Sequence, residues 1–232
     1  MGGFVGVTAP LYEDLINRGH ILIAGMSGSG KSVLMNGMIN AIFYKNVNKH
    51  AVVLCDVKMV EFSRYENTVH CLRLAVTPKE VEDTLDGVLN LINRRFVEMR
   101  SRGIRNYDGL TVHLFIDEMA DLVLTSKSAT DKLQRICQIG RAAGVQVICA
   151  TQCPLASVIP TRIKVNFQIV VGLHTQNAQH SRNILEESGC EDLPMYGEAL
   201  IKYPTIGIQK KTIPMISDEW IDKVIAEDLK GA

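Results

Sequence analysis

Residues 20–32 read HILIAGMSGSGKS, and this stretch decides the fold. It opens with a short apolar run typical of a buried strand. From Gly25 to Ser32 it then matches the pattern G-x-x-x-x-G-K-[ST] without a mismatch. A helical pattern over residues 31–44 follows directly. A strand, a glycine-rich loop and a helix in this order are the context in which the pattern forms a phosphate-binding P-loop.

The residue types of this loop suit the binding of ATP with Mg²⁺. Glycines let the backbone N–H groups turn toward phosphate oxygens, and the helix start adds the positive end of its dipole. We expect Lys31 to reach the β- and γ-phosphates and Ser32 to ligate Mg²⁺ through its hydroxyl. The predicted nucleotide-binding residues of the loop are Gly25, Ser27, Gly28, Ser29, Gly30, Lys31 and Ser32. The alternative is a chance glycine-rich turn, which the complete motif and its flanks disfavour.

Two acids follow a later apolar run. Residues 114–118 read LFIDE, a strand pattern ending in Asp117 and Glu118. We predict that Asp117 holds the Mg²⁺ through water and that Glu118 orients or deprotonates the attacking water, as a catalytic group. Acids often end strands, so this pair gains its meaning from the P-loop upstream. Gln152 or Thr151, at the end of the next strand, could sense hydrolysis; the alternative is a polar cap at a strand end.

Short apolar runs alternate with helical patterns along the chain. Strands that are apolar on both faces, with helices between them, indicate a parallel sheet covered on both sides. We therefore predict the α/β class, specifically a P-loop NTPase (RecA-like) fold with a central, mostly parallel sheet flanked by helices on both faces. The predicted strands cover residues 20–24, 51–56, 112–117, 145–151 and 167–172. The predicted helices cover residues 31–44, 77–102, 126–143 and 218–228, and residues 199–211 are predicted to form an edge hairpin.

Composition limits the other possibilities. The chain has 232 residues, of which 47% are apolar and 22% charged, which suits one globular domain over residues 1–232 with a core of about residues 18–210. Its 25 basic and 25 acidic side chains give no net charge, so any nucleic-acid contact must be local. The six cysteines show no zinc spacing and predict reduced thiols in a cytoplasmic protein. No apolar run approaches the roughly 20 residues that span a bilayer, so any membrane anchor would lie outside this chain.

Several further stretches carry a family resemblance in the correct order. They are HILIAGMSGSGKSVLMNGMI, CDVKMVEFSRYEN, RRFVEMRSRGIRNYDG, IDEMADL, GRAAGVQVICATQCP and SRNILEESGCEDL followed by YGEALI. Together, from about residue 20 to about residue 200, they resemble the motor domain of the FtsK/SpoIIIE family of DNA translocases. The resemblance implies an ATPase that moves double-stranded DNA through a ring, expected to be a homohexamer, in chromosome segregation or mobile-element transfer.

The resemblance also implies roles for three basic residues and leaves a fourth as a nearby candidate without the same support. Arg141 matches the family's arginine finger, which would enter the site of the neighbouring subunit; the alternative is a surface arginine at a helix end. Lys164 and Arg182 match positions whose side chains face DNA in the central pore, and Arg162 is a nearby candidate. The alternative for these three is an ordinary solvated surface.

Two departures from the family pattern leave other functions open. Cys153 stands where the family has an arginine after Ala-Thr-Gln, which removes one expected pore cation, and Val57 replaces a proline. An FtsK-like ATPase of a secretion or conjugation system, acting on protein or as a coupling factor, is therefore the alternative function. A third hypothesis, a nucleotide-binding assembly module with little hydrolysis, is disfavoured by the Glu118 carboxylate.

Overall fold

The computed structural model describes residues 10–16, 18–45, 47–152 and 159–230. Its strands are β1 (Ile21–Ala24), β2 (His50–Cys55), β3 (Cys71–Ala75), β4 (Thr111–Ile116), β5 (Val145–Thr151), β6 (Ile169–Gly172), β7 (Glu198–Tyr203) and β8 (Gly207–Thr212). Its helices are α1 (Pro10–Ile16), α2 (Lys31–Phe43), α3 (Pro78–Arg102), α4 (Met119–Thr125), α5 (Lys127–Ile139), α6 (Thr161–Lys164), α7 (Ala178–Leu185) and α8 (Asp218–Lys230).

The eight strands form one sheet in the order β3-β2-β4-β5-β1-β6-β7-β8. The six strands from β3 to β6 in this order run parallel, and β7 and β8 add an antiparallel hairpin at one edge. The predicted mostly parallel sheet and edge hairpin are therefore confirmed. Because Ala24 lies opposite both Thr151 and Gly172, the carboxyl ends of β1, β5 and β6 meet at the same edge of the sheet.

Both faces of the sheet are covered by helices. Strand residues alternate in direction, so Leu22 packs into one apolar cluster while Ile21 and Ile23 pack into the other. The first cluster contains residues of α3, α4, α5 and α7, and the second contains residues of α1, α2 and α8. Tyr12 and Val224 are both buried in the second cluster, so the packed core extends beyond residues 18–210 at both ends.

The long helix α3 has the ends that its sequence predicts. Thr77 accepts a hydrogen bond from the Glu80 backbone N–H, and the Glu80 carboxylate accepts one from the Thr77 backbone N–H. This capping box is confirmed. Gly103, with φ of 65°, ends the helix in the left-handed conformation that glycine adopts readily. The helix therefore begins and ends where local chemistry requires it.

Three differences from the predicted elements have local causes. The helix predicted over residues 126–143 ends at Ile139, because the chain tightens into a 3₁₀ turn over Arg141–Ala143 and then takes a left-handed conformation at Gly144. Strand β3 was not predicted, because it is short and half-exposed. Helices α1, α4, α6 and α7 were also missed, since none exceeds eight residues.

The hairpin strand β8 lies at the end of the sheet order and is largely exposed. Lys210 and Lys211 both lie on it with exposed side chains. Lys210 also forms an ion pair with Glu198 of β7, with Nζ and Oε2 2.7 Å apart. Among the residues that the structure describes, no helix has the length and apolar character needed to cross a membrane.

Candidate nucleotide site

The P-loop joins β1 to α2 and takes its shape from three glycines. Gly28 and Gly30 have φ of 78° and 94°, in the left-handed region that other residues rarely adopt. Gly25 needs the absence of a side chain for a different reason. A Cβ there would lie 2.7 Å from the Leu173 Cβ and 2.6 Å from the Ser29 Oγ. The loop therefore passes close to the end of β6 and curls back on itself.

Backbone hydrogen bonds fix this loop to the neighbouring strands. The N–H of Gly25 donates to the carbonyl of Thr151 (3.3 Å), and that of Met26 donates to His174 (3.0 Å). Lys31 points into the loop, where Nζ donates to the carbonyls of Gly25 (2.8 Å) and Met26 (2.7 Å). The loop is thus anchored to β5 and to the chain after β6, with an ammonium group at its centre.

Burial governs the charge of this lysine. Only 7% of Lys31 is exposed, and desolvation lowers its pKa, while the nearby carboxylates of Glu118 and Asp117 partly oppose that shift. Burial therefore disfavours the ammonium form of Lys31, and the two acids predicted to share its site favour it.

Glu118 and Gln152 meet beside the loop, at the ends of adjacent strands. Glu118 is the N-cap of α4, and its Oε1 accepts a hydrogen bond from the Ala120 N–H at 3.2 Å. Its Oε2 accepts another from the backbone N–H of Gln152 at 3.1 Å. The carboxylate is therefore held in a fixed orientation by α4 and by the residue that follows β5.

The predicted metal ligand Asp117 lies among other carboxylates. Its backbone N–H donates to the Cys55 carbonyl at 3.1 Å, which fixes it beside the end of β2. Burial is the first cause that raises its pKa, to about 6, and the charges of Glu61, Asp56 and Glu118 add to the effect. Burial and the neighbouring negative charges therefore both oppose ionisation of this carboxyl group, and a bound cation would offset them.

Two acids of the segment after β2 were given no role from sequence. Ser32 Oγ donates to Glu61 Oε1 at 2.6 Å. Asp56 is fully buried, and its Oδ2 accepts from the backbone N–H groups of Glu61 and Phe62, at 2.8 Å each. The signal that could have found them is topological: β2 and β4 pair in parallel, so residues after Cys55 and after Ile116 come to the same edge.

Lys58, on the segment after β2, lies near Glu118. Its Nζ lies 4.0 Å from Glu118 Oε2 and 3.7 Å from Asp121 Oδ2. Lys58, Glu118 and Asp121 also line a small pocket between β2, β4 and α4. Two cations, Lys31 and Lys58, therefore interact electrostatically with Glu118.

The oxygen groups at this edge fit Mg²⁺. Its preferred partners are carboxylate and hydroxyl oxygens, and it commonly takes only one or two carboxylates, with water and phosphate completing the shell. Ser32 and Asp117 supply those oxygens. In addition, Asp56 Oδ1 and Ser29 Oγ are buried atoms with no hydrogen-bond partner, so unsatisfied polar groups lie in the loop and next to the acids.

Comparisons with known proteins agree with this geometry. Residues 2–115 match the model of the FtsK/SpoIIIE family. The DNA translocase FtsK of Helicobacter pylori is 35% identical over 93% of the chain, and that of Leptospira interrogans is 34% identical over 94%. The chain belongs to the FtsK/SpoIIIE family. It spans 28% and 25% of the length of these two FtsK proteins.

Solved structures show the same fold at lower identity. The conjugation coupling protein TcpA of pCW3, solved with ATPγS, superimposes with a TM-score of 0.77 and 20% identity, over 90% of this chain and 64% of that one. The cytoplasmic domain of the type VII secretion ATPase EccC of Thermomonospora curvata gives 0.76 and 20%, over 90% and 27%. The FtsK/SpoIIIE chain therefore has a P-loop ATPase fold.

Arg141, the predicted arginine finger of this FtsK/SpoIIIE chain, lies at the amino ends of the parallel strands, opposite the P-loop. It is exposed in the 3₁₀ turn before β5, whereas the P-loop follows the carboxyl end of the parallel strand β1. The seven residues of β5 separate the two edges by roughly 20 Å. Arg141 therefore cannot reach the P-loop of its own chain in this fold.

The turn that carries Arg141 is held by a buried arginine of α3. Arg95 Nη1 donates to the carbonyls of Ala143 (2.7 Å) and Gly144 (3.1 Å), and Nη2 donates to Leu110 (2.6 Å). The Arg95 guanidinium also lies 4.2 Å from the centre of the Tyr107 ring. Arg95 belongs to the RRFVEMRSRGIRNYDG stretch of the family resemblance, and sequence reasoning assigned it no role.

The three basic residues predicted to face DNA lie on or beside α6 and α7. Arg182 is exposed on α7. Lys164 is mostly covered, since its Nζ donates to the Asn183 carbonyl at 3.0 Å and lies 3.6 Å from Glu186. Arg162 forms an exposed ion pair with Asp131 of α5 at 3.0 Å. Cys153, the departure from the family pattern, lies outside the described residues.

Proposed function

We propose that this chain is an ATP-hydrolysing motor that translocates double-stranded DNA through a ring of identical subunits, most simply a homohexamer. The observation that carries the proposal is a P-loop with a buried lysine, Lys31, at the same edge of a parallel sheet as an oriented carboxylate, Glu118. Membership of the FtsK/SpoIIIE family supports the DNA cargo, because the curated relatives are named DNA translocases.

The residues of this site divide the work of hydrolysis. Lys31 would exchange its contacts with two loop carbonyls for phosphate oxygens, and the loop amides would hold the rest of the triphosphate. Ser32 and Asp117 would hold Mg²⁺. When it is bound, its positive charge offsets the negative charge of the phosphates. Glu118, oriented by two backbone N–H groups, would accept the proton of the attacking water.

Gln152 gives the site a route to the rest of the molecule. Its backbone N–H binds Glu118, and it lies at the end of β5, just before the segment that leads to α6 and its basic residues. A change in the position of Glu118 during hydrolysis would therefore act on the backbone of Gln152 at the end of β5. This connection supports a coupling of ATP hydrolysis to movement of the predicted DNA contacts.

Arg141 supports a head-to-tail ring. The nucleotide site lies at the carboxyl ends of the parallel strands and the predicted finger at their amino ends, so each subunit would offer a different surface to each neighbour. A heterologous contact of this kind can close into a ring. In such a ring Arg141 of one subunit would enter the site of the next and stabilise charge on the γ-phosphate. Hydrolysis would then require two subunits.

Arg182, Lys164 and Arg162 are the proposed DNA contacts. Arg182 is the most accessible, because Lys164 and Arg162 already contact Asn183 and Asp131. Contacts of this kind bind phosphates and carry little sequence information. A chain without net charge suits this arrangement, since only the lining of the ring must be basic.

A secretion or conjugation cargo is the less favoured function. TcpA and EccC resemble this chain at 20% identity, and similarity at that level supports the fold alone. The FtsK relatives, at 30–35% identity, cover more than nine-tenths of the chain. The response of the ATPase to duplex DNA separates the two cargoes.

The test is ATP hydrolysis by mixed subunits, with and without long duplex DNA. We expect Glu118→Gln and Arg141→Ala to be nearly inactive alone, since each lacks one half of a shared site. An equal mixture should recover up to about a quarter of the wild-type rate, because half of the sites have Glu118 and half of those receive Arg141 from a Glu118→Gln neighbour. Duplex DNA should stimulate the wild type severalfold.

Arg135→Ala is the matched control, because Arg135 is another exposed arginine, on α5, and its loss should leave the rate unchanged. Absence of recovery in mixtures that assemble would overturn the shared site. A wild-type rate that duplex DNA does not alter would overturn the DNA cargo and favour the alternative.

A further inference from the structure

The hydroxyl of Ser32 has its proton directed at a carboxylate. Oγ donates to Glu61 Oε1 at 2.6 Å, a distance within the range of O–H···O hydrogen bonds. A serine hydroxyl has one proton and two lone pairs. Donation to Glu61 therefore turns the lone pairs away from Glu61, which leaves them free to act as ligands.

Glu61 is held firmly in this position. Asp56 Oδ2 accepts hydrogen bonds from its backbone N–H and from that of Phe62, and the Phe62 side chain is fully buried. Further along the segment, the hydroxyl of Tyr65 donates to Asn36 Oδ1 at 2.7 Å and accepts from Asn40 Nδ2 at 3.1 Å. The segment is thereby fixed to α2, the helix whose first turn contains Ser32.

The position of Glu61 places negative charge inside the nucleotide site. Its charge acts on both Lys31 and Asp117, so it lies close to the P-loop lysine and to the predicted metal ligand. Asp117 and the buried Asp56 follow the ends of the paired strands β4 and β2, so further carboxylates lie at the same edge of the sheet. Such a concentration of like charge is unfavourable by itself and becomes favourable beside a divalent cation.

We propose that Glu61 is a positioning residue for the Mg²⁺-nucleotide. It accepts the hydrogen bond of the Ser32 hydroxyl, so that the serine oxygen presents its lone pairs to the metal. The inference rests on the proposed function, since it assumes that Mg²⁺-ATP binds at this P-loop. Glu61 acts through Ser32, as outer groups commonly orient metal ligands. Nothing in the P-loop motif itself requires this residue.

Two other roles for the same contact give different results. If Glu61 competed with the metal for Ser32, its removal would tighten binding of the Mg²⁺-nucleotide. If Glu61 only fastened the segment after β2 to α2, its removal would weaken nucleotide binding equally with and without Mg²⁺.

The test compares the affinity for a fluorescent ATP analogue, mant-ATP, in excess Mg²⁺ and in EDTA. We expect Glu61→Ala to weaken binding about 10-fold in Mg²⁺ and to leave the affinity in EDTA within about twofold. The Mg²⁺ concentration for half-maximal binding should rise. Glu61→Gln should be intermediate, because its amide oxygen still accepts the Ser32 proton but carries no charge.

Glu66→Ala is the matched control, since Glu66 is exposed on the same segment, and it should behave as the wild type. Equal losses in Mg²⁺ and EDTA, tighter binding in Mg²⁺, or no change in Glu61→Ala would each overturn the inference. A wild-type chain that binds no mant-ATP in Mg²⁺ would instead overturn the proposed function. Thermal melts without ligand verify that each variant is folded.

Discussion

At the scale of one residue, Asp117 shows how a carboxyl group of the candidate nucleotide site lowers the stability of the folded chain. Its pKa is raised to about 6 by burial and by three neighbouring acids. A folded pKa above the usual value of 3.8 means that the folded state disfavours the ionised form. The group therefore lowers stability at pH values above about 6, and this cost disappears as the pH falls toward 4.

Replacement of this acid should accordingly stabilise the chain that has no ligand. We expect Asp117→Asn to raise the free energy of unfolding by roughly 1–3 kcal/mol at pH 7.5, with the gain shrinking toward zero at pH 4. Urea unfolding over this pH range, without Mg²⁺ or nucleotide, measures it. The same variant should lose Mg²⁺-dependent binding of mant-ATP, and a destabilised Asp117→Asn would contradict the electrostatic account.

Other residues show which parts of the site a sequence can reveal. Lys31, Glu118 and Gln152 were predicted to meet because each follows the carboxyl end of a parallel strand, and such ends share one edge. Glu61 was missed because it lies six residues beyond its strand, on an irregular segment. Its proposed role depends on one contact, with Ser32, and hydrophobic periodicity in the sequence does not predict a contact of that kind.

At the scale of elements, α3 illustrates a prediction that was right in outline and incomplete in content. The cap at Thr77, the stop at Gly103 and the apolar stripe were all predicted, since they depend on local chemistry. Arg95 was not, because an arginine in a helix normally faces solvent. Here it is 4% exposed and binds carbonyls from two other parts of the chain.

Loss of Arg95 should therefore loosen the turn that carries Arg141. We expect Arg95→Ala to lower the free energy of unfolding by about 2–4 kcal/mol, because the carbonyls of Leu110 and Ala143 lose their buried charged donor. Arg95→Lys should be intermediate, since one ammonium group cannot reach all three carbonyls. Urea unfolding measures both, and Arg94→Ala, at the exposed neighbouring position, should cost less than about 0.5 kcal/mol.

A stability loss no greater in Arg95→Ala than in Arg94→Ala would contradict this role.

The same region also explains an error in the sequence prediction. The helix over residues 126–143 was predicted as continuous, but its last three residues form the separate turn held by Arg95. The contact that shapes this turn comes from α3, some 45 residues earlier in the chain, so no local pattern could reveal it.

At the scale of the whole molecule, a line of polar side chains crosses the sheet. His113 Nδ1 donates to Gln146 Oε1 at 2.7 Å, and His113 Nε2 faces His50 Nδ1 at 3.1 Å. Gln146 Nε2 donates to the Gly19 carbonyl at 2.9 Å, after α1. Burial is the main cause that lowers the pKa of His113 to about 3, so this line depends on a neutral imidazole.

The chain should therefore lose stability in acid through His113. The pKa of His113 is near 3 in the folded chain and 6.5 in the unfolded chain. The contribution of neutral His113 to the free energy of unfolding is therefore complete above about pH 6.5 and is lost as the pH falls toward 3. His113→Gln cannot titrate. Its stability deficit relative to the wild type should shrink by up to about 1.4 kcal/mol per pH unit between pH 6 and pH 4.

Urea unfolding at several pH values measures this convergence. Leu114→Val, at the next position of the same buried strand, is the control, and its deficit should stay constant because no titrating group is changed. A His113→Gln deficit that does not vary with pH would show that the imidazole is not kept neutral by the fold.

The overall architecture followed from the alternation of apolar runs and helical patterns, and from one loop motif. What the sequence could not supply is the set of long-range polar contacts, namely Glu61 with Ser32, Arg95 with Ala143, and His113 with Gln146. Each joins segments that lie far apart in the chain, and each involves a polar residue that ordinarily would be assigned to the surface.

The two lysines of β8 have a consequence for handling this protein. An open strand at a sheet margin can recruit a second molecule through its unpaired amide and carbonyl groups, and lysine side chains oppose that pairing because two such strands would bring their ammonium groups together. Exchange of Lys210 and Lys211 for valine would remove this barrier. We expect the doubly substituted protein to aggregate at lower concentrations than the wild type.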